Sequence, residues 1–214
     1  MPDSCTIRHT GTSASAPIAA GIFALVLEAN PNITWRDMQH LVVRTSNPAP
    51  LLRNSGWRRN GVGRYVNNKF GYGIIDAEAL VKLAQRWKTL PEKYICTYNA
   101  RMKAPRVLPG IFSYNFTLNV GDCSDGTPIY FLEHVQVVVT ASFNPRGDLQ
   151  MSIVSPAGTR SDILPLRKSD RLRGSFSNWP FLSVHQWGEN PRGIWTLIVE
   201  SRSSTDNTGK ACHC

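Results

Sequence analysis

The sequence predicts two unlike parts, a helical stretch over residues 1–87 and an all-β remainder over residues 88–214 built as a sandwich. Three observations lead there. The run Ile18-Ala19-Ala20-Gly21-Ile22-Phe23-Ala24-Leu25-Val26-Leu27 is apolar on every face, which marks a helix buried inside a larger body. Leu80, Leu83, Ala84 and Trp87 recur at helical spacing. Beyond residue 88 the apolar positions alternate instead. Phe112, Tyr114, Phe116 and Leu118 form one set, and Val135, Val137 and Val139 a second. Leu149, Met151 and Ile153, then Trp195, Leu197 and Val199, complete the pattern between Gly, Pro and Asn turns.

The first helix is introduced by His9-Thr10-Gly11-Thr12-Ser13-Ala14-Ser15-Ala16-Pro17. Gly11 lets the backbone approach a ligand closely, and Ser13 falls at or near the helix N-terminus. Unpaired N–H groups and the helix dipole favour negative charge there. A serine so placed can attack a carbonyl while its own N–H helps hold the oxyanion. Pro17 is tolerated in or just after the first turn. Taken alone, a serine before a helix is more often an N-cap or a small packing residue. Thr34 is the expected N-cap of a second helix reaching about Arg44. Residues 45–68, rich in Pro, Asn, Gly and Arg, read as a loop. Phe70-Gly71-Tyr72-Gly73-Ile74-Ile75-Asp76-Ala77 then leads into a third helix ending near Trp87. No strand precedes its Gly-Tyr-Gly, so a nucleotide-binding loop is not supported.

At 214 residues the chain holds one large domain or two small ones, and its 42% hydrophobic content is that of a folded protein. The net charge of +9 does not point to nucleic acid, because the basic residues are dispersed and clusters such as Arg58-Arg59 and Arg167-Lys168 are short. Met1-Pro2-Asp3-Ser4 has no apolar core of a signal peptide. No run of eighteen apolar residues occurs, so no membrane span is expected. Asn32-Ile33-Thr34 and Asn115-Phe116-Thr117 are glycosylation sequons.

Gly11-Thr12-Ser13-Ala14-Ser15-Ala16-Pro17 resembles the nucleophile signature of subtilisin-like serine proteases, and specifically their kexin/furin-like proprotein convertase branch. The same branch is matched by Leu27-Glu28-Ala29-Asn30-Pro31-Asn32, by Thr34-Trp35-Arg36-Asp37-Met38-Gln39-His40 and by Leu41-Val42-Val43. Gly71, Gly73, Asp76 and Ala77 resemble the end of its catalytic domain. Leu132-Glu133-His134-Val135-Gln136-Val137, Arg146-Gly147-Asp148-Leu149, Val154-Ser155-Pro156-Ala157-Gly158-Thr159 and Trp187-Gly188-Glu189 resemble its P domain. The fold implied is an α/β subtilisin-like C-terminal fragment over residues 1–87, followed by an all-β jelly-roll-like P domain over 88–214. The spacing around Gly174-Ser175-Phe176 is one residue looser than the family's. The P domain is expected to lack its last strand, because the chain stops at Gly209-Lys210-Ala211-Cys212-His213-Cys214. That would leave a neighbouring strand with an unpaired edge.

The resemblance implies a calcium-dependent endopeptidase that processes proprotein substrates after paired basic residues, with Ser13 as nucleophile. Subtilisin-like triads run Asp, His, Ser along the chain, and only twelve residues precede Ser13. None of the five histidines, His9, His40, His134, His185 and His213, matches the family's catalytic one. The base, the acidic substrate cleft and the calcium ligands are all expected upstream. The chain alone is therefore expected to be inactive and to bind no calcium, and its charge reads as the basic remainder of a larger protein. The compartment implied is the secretory pathway, in the Golgi, secretory vesicles or outside the cell. Cys96 and Cys123 are expected to pair as in the family, and Cys5 to pair upstream. Cys212-His213-Cys214 is a poor chelate and reads as an unusual tail. Arg146-Gly147-Asp148 could serve as an integrin motif, but a structural turn is favoured. An alternative function is a non-catalytic short isoform acting through its P-domain half. Without the parallel sheet that its buried helix covers in the family, the N-terminal part is expected to be loosely packed.

Overall fold

The computed structural model describes residues 10–99 and 111–201. The chain forms two compact units. One comprises residues 1–55 with 72–93; the other comprises 56–71 with 94–214. His9, Cys5, His213, Cys212 and Cys214 lie outside the described residues, as does the position of the strand expected to be missing.

The first unit is helical. Helix α1 spans Thr12–Ala29, α2 Trp35–Thr45 and α3 Ala77–Gln85. Gly11 caps α1 at φ 90°, a conformation that side-chain-bearing residues seldom adopt. Thr34 caps α2 through a reciprocal capping box with Asp37, and the Asp76 side chain accepts from the Ala79 N–H at 2.9 Å to start α3. Val26, Ile33, Met38, Leu41, Leu80 and Ala84 meet in the core, with Trp87 packed against them. Only a seam of α1 reaches it. Ile18 stays 66% exposed, Leu25 52% and Leu27 43%. The all-round burial expected of α1 is thus not found within this unit, because α2 and α3 cover one side of it only. By length and composition alone the helix also meets the criterion for crossing a membrane, although it contains no run of eighteen apolar residues. Ser13, Ser15 and Glu28 break the run without making the helix polar on average, and core helices of soluble proteins meet the same criterion.

Asp37 ties this unit together. It is fully buried, and Oδ2 accepts from the Thr34 N–H at 2.9 Å and hydroxyl at 2.7 Å. Its Oδ1 accepts from Trp87 Nε1 at 2.9 Å and the Leu90 N–H at 3.0 Å. Burial alone would raise its pKa, but the hydrogen bonds from Thr34, Trp87 and Leu90 outweigh burial and lower it from 3.8 to about 2. The folded unit therefore binds this proton less readily than the unfolded chain. Its contribution, about 2 kcal/mol, is present above pH 3.8 and is lost as pH falls through about 2. Urea titrations of the chain and of Asp37→Asn across this range are expected to show the acid-side slope reduced in the variant, and equal slopes would refute the assignment.

The second unit is all-β apart from short turns. Strands β3 (Phe112–Val120), β8 (Gly193–Ser201), β5 (Leu149–Val154) and β6 (Arg160–Leu164) form an antiparallel sheet in that order. Strands β4 (Val135–Phe143) and β7 (Gly174–Ser183) form a second sheet. Phe112, Phe143, Leu149, Met151, Leu164 and Phe181 come from both sheets and share one core, and Val120, Ile153 and Trp195 centre another cluster. The pairing of β4 and β7 is interrupted by a bulge. Ser177 and Asn178 oppose Thr140 alone, and Asn178 adopts φ 45° with its N–H on the Thr140 hydroxyl at 3.0 Å.

Residues 45–68, expected to be loop, include a small hairpin of β1 (Arg58–Arg59) and β2 (Tyr65–Val66), and residues 56–71 belong to this β unit. Asn60 Nδ2 donates to the carbonyls of His185 at 3.0 Å and Trp187 at 3.2 Å. The Gly61 N–H donates to Glu189 Oε1 at 2.8 Å. A Cβ at Gly61 would stand 2.3 Å from Ala157 Cβ, so the close approach requires glycine.

Candidate active site

Ser13 is the second residue of α1 and is exposed. Helical bonding begins just beyond it, with the Ala14 and Ser15 N–H groups donating to the Gly11 carbonyl at 3.1 and 3.4 Å. The serine hydroxyl therefore stands in the first turn, where backbone N–H groups point outward along the axis and an oxyanion is favoured. A nucleophile also needs a base to take its proton. Each described histidine is engaged elsewhere. His40 lies 6.4 Å from the Trp87 ring centroid, and His134 meets Trp187 edge-on at 5.3 Å. His185 is largely buried. Burial chiefly, with the nearby Arg58, lowers its pKa against the opposing pull of Asp162. Ser13 is thus an exposed hydroxyl in a helical first turn, and the described residues place no base beside it.

The other expected site residues are placed as follows. Cys96 and Cys123 are joined by a disulfide. Asn32 is exposed in the turn after α1, and Asn115 is exposed on β3 opposite Ile198. Among the described residues no three His, Cys, Asp or Glu side chains gather as a metal's ligands do, so no chemical step is routed through calcium here.

Arg146-Gly147-Asp148 is a short 3-10 turn with its glycine buried. Arg146 Nε binds both oxygens of Asp170 at 2.9 and 2.7 Å, and Arg167 donates to the Arg146 carbonyl at 2.6 Å. A Cβ at Gly147 would come within 2.3 Å of the Arg167 and Asp170 carbonyl oxygens. The motif forms a turn whose arginine is paired with Asp170, in keeping with the turn reading.

Sequence reasoning singled out Val154–Thr159 and Trp187–Glu189 as motifs but not their meeting. The Glu189 carboxylate, 1% exposed, accepts from the Ser155 hydroxyl at 2.5 Å, from the Thr159 hydroxyl and from the Gly61 N–H. With its carboxylate 1% exposed and all three bonds made within the β unit, this cluster is a joint rather than a reaction centre.

Comparison with known proteins places both halves. Residues 1–73 match the subtilase family model, and residues 132–211 match the proprotein convertase P-domain model. The chain is 59% identical to "Endoprotease bli" of Onchocerca volvulus, covering 100% of this chain and 31% of that protein. It is 60% identical to "Endoprotease bli-4" of Caenorhabditis elegans over 94% of this chain and 22% of that one. It is 48% identical to human "Proprotein convertase subtilisin/kexin type 4", covering 96% of this chain and 27% of the relative. The chain thus spans less than a third of the length of these relatives. Among solved structures, the serine protease of Aeromonas sobria aligns at TM-score 0.70 and 26% identity, over 92% of this chain and 38% of that one. The chain therefore belongs to the kexin/furin-like proprotein convertases, subtilisin-like serine proteases, and comprises the C-terminal part of the catalytic domain followed by the P domain.

Proposed function

We propose that this chain is the nucleophile-bearing portion of a calcium-dependent, kexin-like endopeptidase that cleaves proprotein substrates after paired basic residues in the secretory pathway. The observation that carries the reading is Ser13 in the first turn of an apolar helix, within a segment matched by the subtilase family. Ser13 supplies the attacking oxygen and its N–H part of the oxyanion site. The Asp, the His, the acidic specificity residues and the calcium ligands belong to the portion of the enzyme that precedes this segment. Asn32 and Asn115 carry glycans.

The chain alone is expected to leave a fluorogenic Lys-Arg peptide intact at a rate indistinguishable from buffer, with or without added calcium. Turnover that disappears in Ser13→Ala would sink the claim that the base lies elsewhere. A second reading, a non-catalytic binding or regulatory module, is favoured by the β unit having a hydrophobic core of its own. Binding by that module is expected to be indifferent to Ser13→Ala.

A further inference from the structure

The sequence scatters its positive charge, but the β unit gathers part of it. Residues 165–173 connect β6 to β7 and are bonded to the turn at 145–148 along their length. The Arg167 N–H donates to the Gly147 carbonyl at 2.9 Å, the Gly147 N–H to Asp170 at 3.1 Å and the Arg146 N–H to Leu172 at 2.9 Å. Arg146 and Arg167 both pair with Asp170, and their charges are spent on holding the two loops together. Lys168, Arg171 and Arg173 differ. All three are exposed, and among the described residues none has a carboxylate within ion-pairing distance. The nearby acids are Asp170, which is occupied, and Asp148 at the end of the turn. The result is a fixed loop pair that offers uncompensated cations at one end of the unit.

We propose that this loop pair is a docking surface for a sulfated glycosaminoglycan. Guanidinium groups bind sulfate and carboxylate oxygens in paired hydrogen bonds, and a preformed loop spends little ordering entropy on a polyanion. The disulfide between Cys96 and Cys123 marks an oxidising compartment, where the abundant polyanions are sulfated polysaccharides rather than nucleic acid. Of the loop's two leucines, Leu166 is half-buried and Leu172, between Arg171 and Arg173, is 66% exposed, too little apolar surface to anchor in a bilayer. The surface is independent of Ser13 and of the catalytic reading.

The test is binding of the full chain to immobilised heparan sulfate, compared with two triple variants of equal charge change. Lys168→Gln/Arg171→Gln/Arg173→Gln alters the loop, whereas Arg86→Gln/Lys88→Gln/Lys93→Gln alters exposed cations of the helical unit. The loop variant is expected to weaken binding roughly a hundredfold, with the elution salt concentration falling accordingly. The control variant is expected to stay within about twofold, as for cations that make no contact. A thermal melt of each protein checks that folding is unchanged, and desulfated heparan sulfate is expected to bind neither. Equal losses in both variants, no binding at all, or preference for polyglutamate or phosphatidylserine vesicles over heparan sulfate would each overturn the proposal.

Discussion

Joined to the Asp and His of a subtilase domain in one longer polypeptide, the chain is expected to lose kcat about a million-fold when Ser13 becomes alanine. The size follows from what the substitution removes. Without the hydroxyl no acyl-enzyme forms, and what remains is water attack assisted by the oxyanion site and by substrate positioning. The loss is expected in kcat, with KM little changed, because a single exposed hydroxyl contributes little to holding the peptide on either side of the scissile bond. A fluorophosphonate probe is expected to label the longer polypeptide and not its Ser13→Ala variant. A fall of less than about tenfold would assign the nucleophile to another residue, since triad nucleophiles never cost so little. Labelling of the 214-residue chain itself would show that a base reaches Ser13 from within it.

The features legible in the sequence were those whose cause is local. Thr34 and Asp37 announce a helix start because the box closes within one turn, and α2 begins there. Alternating sets such as Val135, Val137 and Val139 announce strands because period two depends on neighbours alone. Asp37 has a second task, accepting from Trp87 and Leu90, that no local pattern contains, since those partners are brought in by α3. The hairpin at 56–71 was illegible for a related reason. Its strands are two residues each, too short for any period, and it is held by Asn60 and Gly61 across more than a hundred residues. Strand β6 is short and polar, and β7 carries Pro180 and the Asn178 bulge, so neither showed clean alternation. The placing of Ser13 at the start of α1 was legible because its helix and glycine are adjacent. The sequence also led to an expectation of α1 as a buried helix, whereas this unit covers one seam of it. Hydrophobicity reports the environment a helix requires, and that environment includes layers beyond α2 and α3.

Glu189→Ala is expected to destabilise the β unit by about 3 kcal/mol, the largest effect of any single substitution in that unit outside its apolar core. The carboxylate, 1% exposed, accepts three hydrogen bonds, one from Gly61 of the hairpin and two from Ser155 and Thr159 of the turn between β5 and β6. Removing it takes away one of the two acceptors of the Gly61 N–H. The Thr159 hydroxyl already accepts from the same N–H at 2.9 Å, and its own proton loses its acceptor. The Ser155 hydroxyl, which also accepts from the Thr159 N–H at 3.1 Å, is anchored in the same way. Glu189→Gln retains a carbonyl oxygen for Gly61, and its amide can donate to a hydroxyl that turns to accept, so its cost is expected at about 1 kcal/mol. Amide exchange separates a joint from a general packing defect. In Glu189→Ala the amides of Gly61 and Asn67 are expected to lose protection before those of β5 and β8, because the hairpin is released while Leu149, Met151 and Ile153 still pack. Uniform loss across all strands would mean that Glu189 supports the sandwich itself. Unchanged exchange at Gly61 would mean that residues 56–71 are held to the β unit by their other bonds, from Asn60 to His185 and Trp187, from Gly61 to Thr159 and from Arg58 to Arg160 and Asp162, and the buried carboxylate would then have no part in joining the catalytic-domain segment to the P domain.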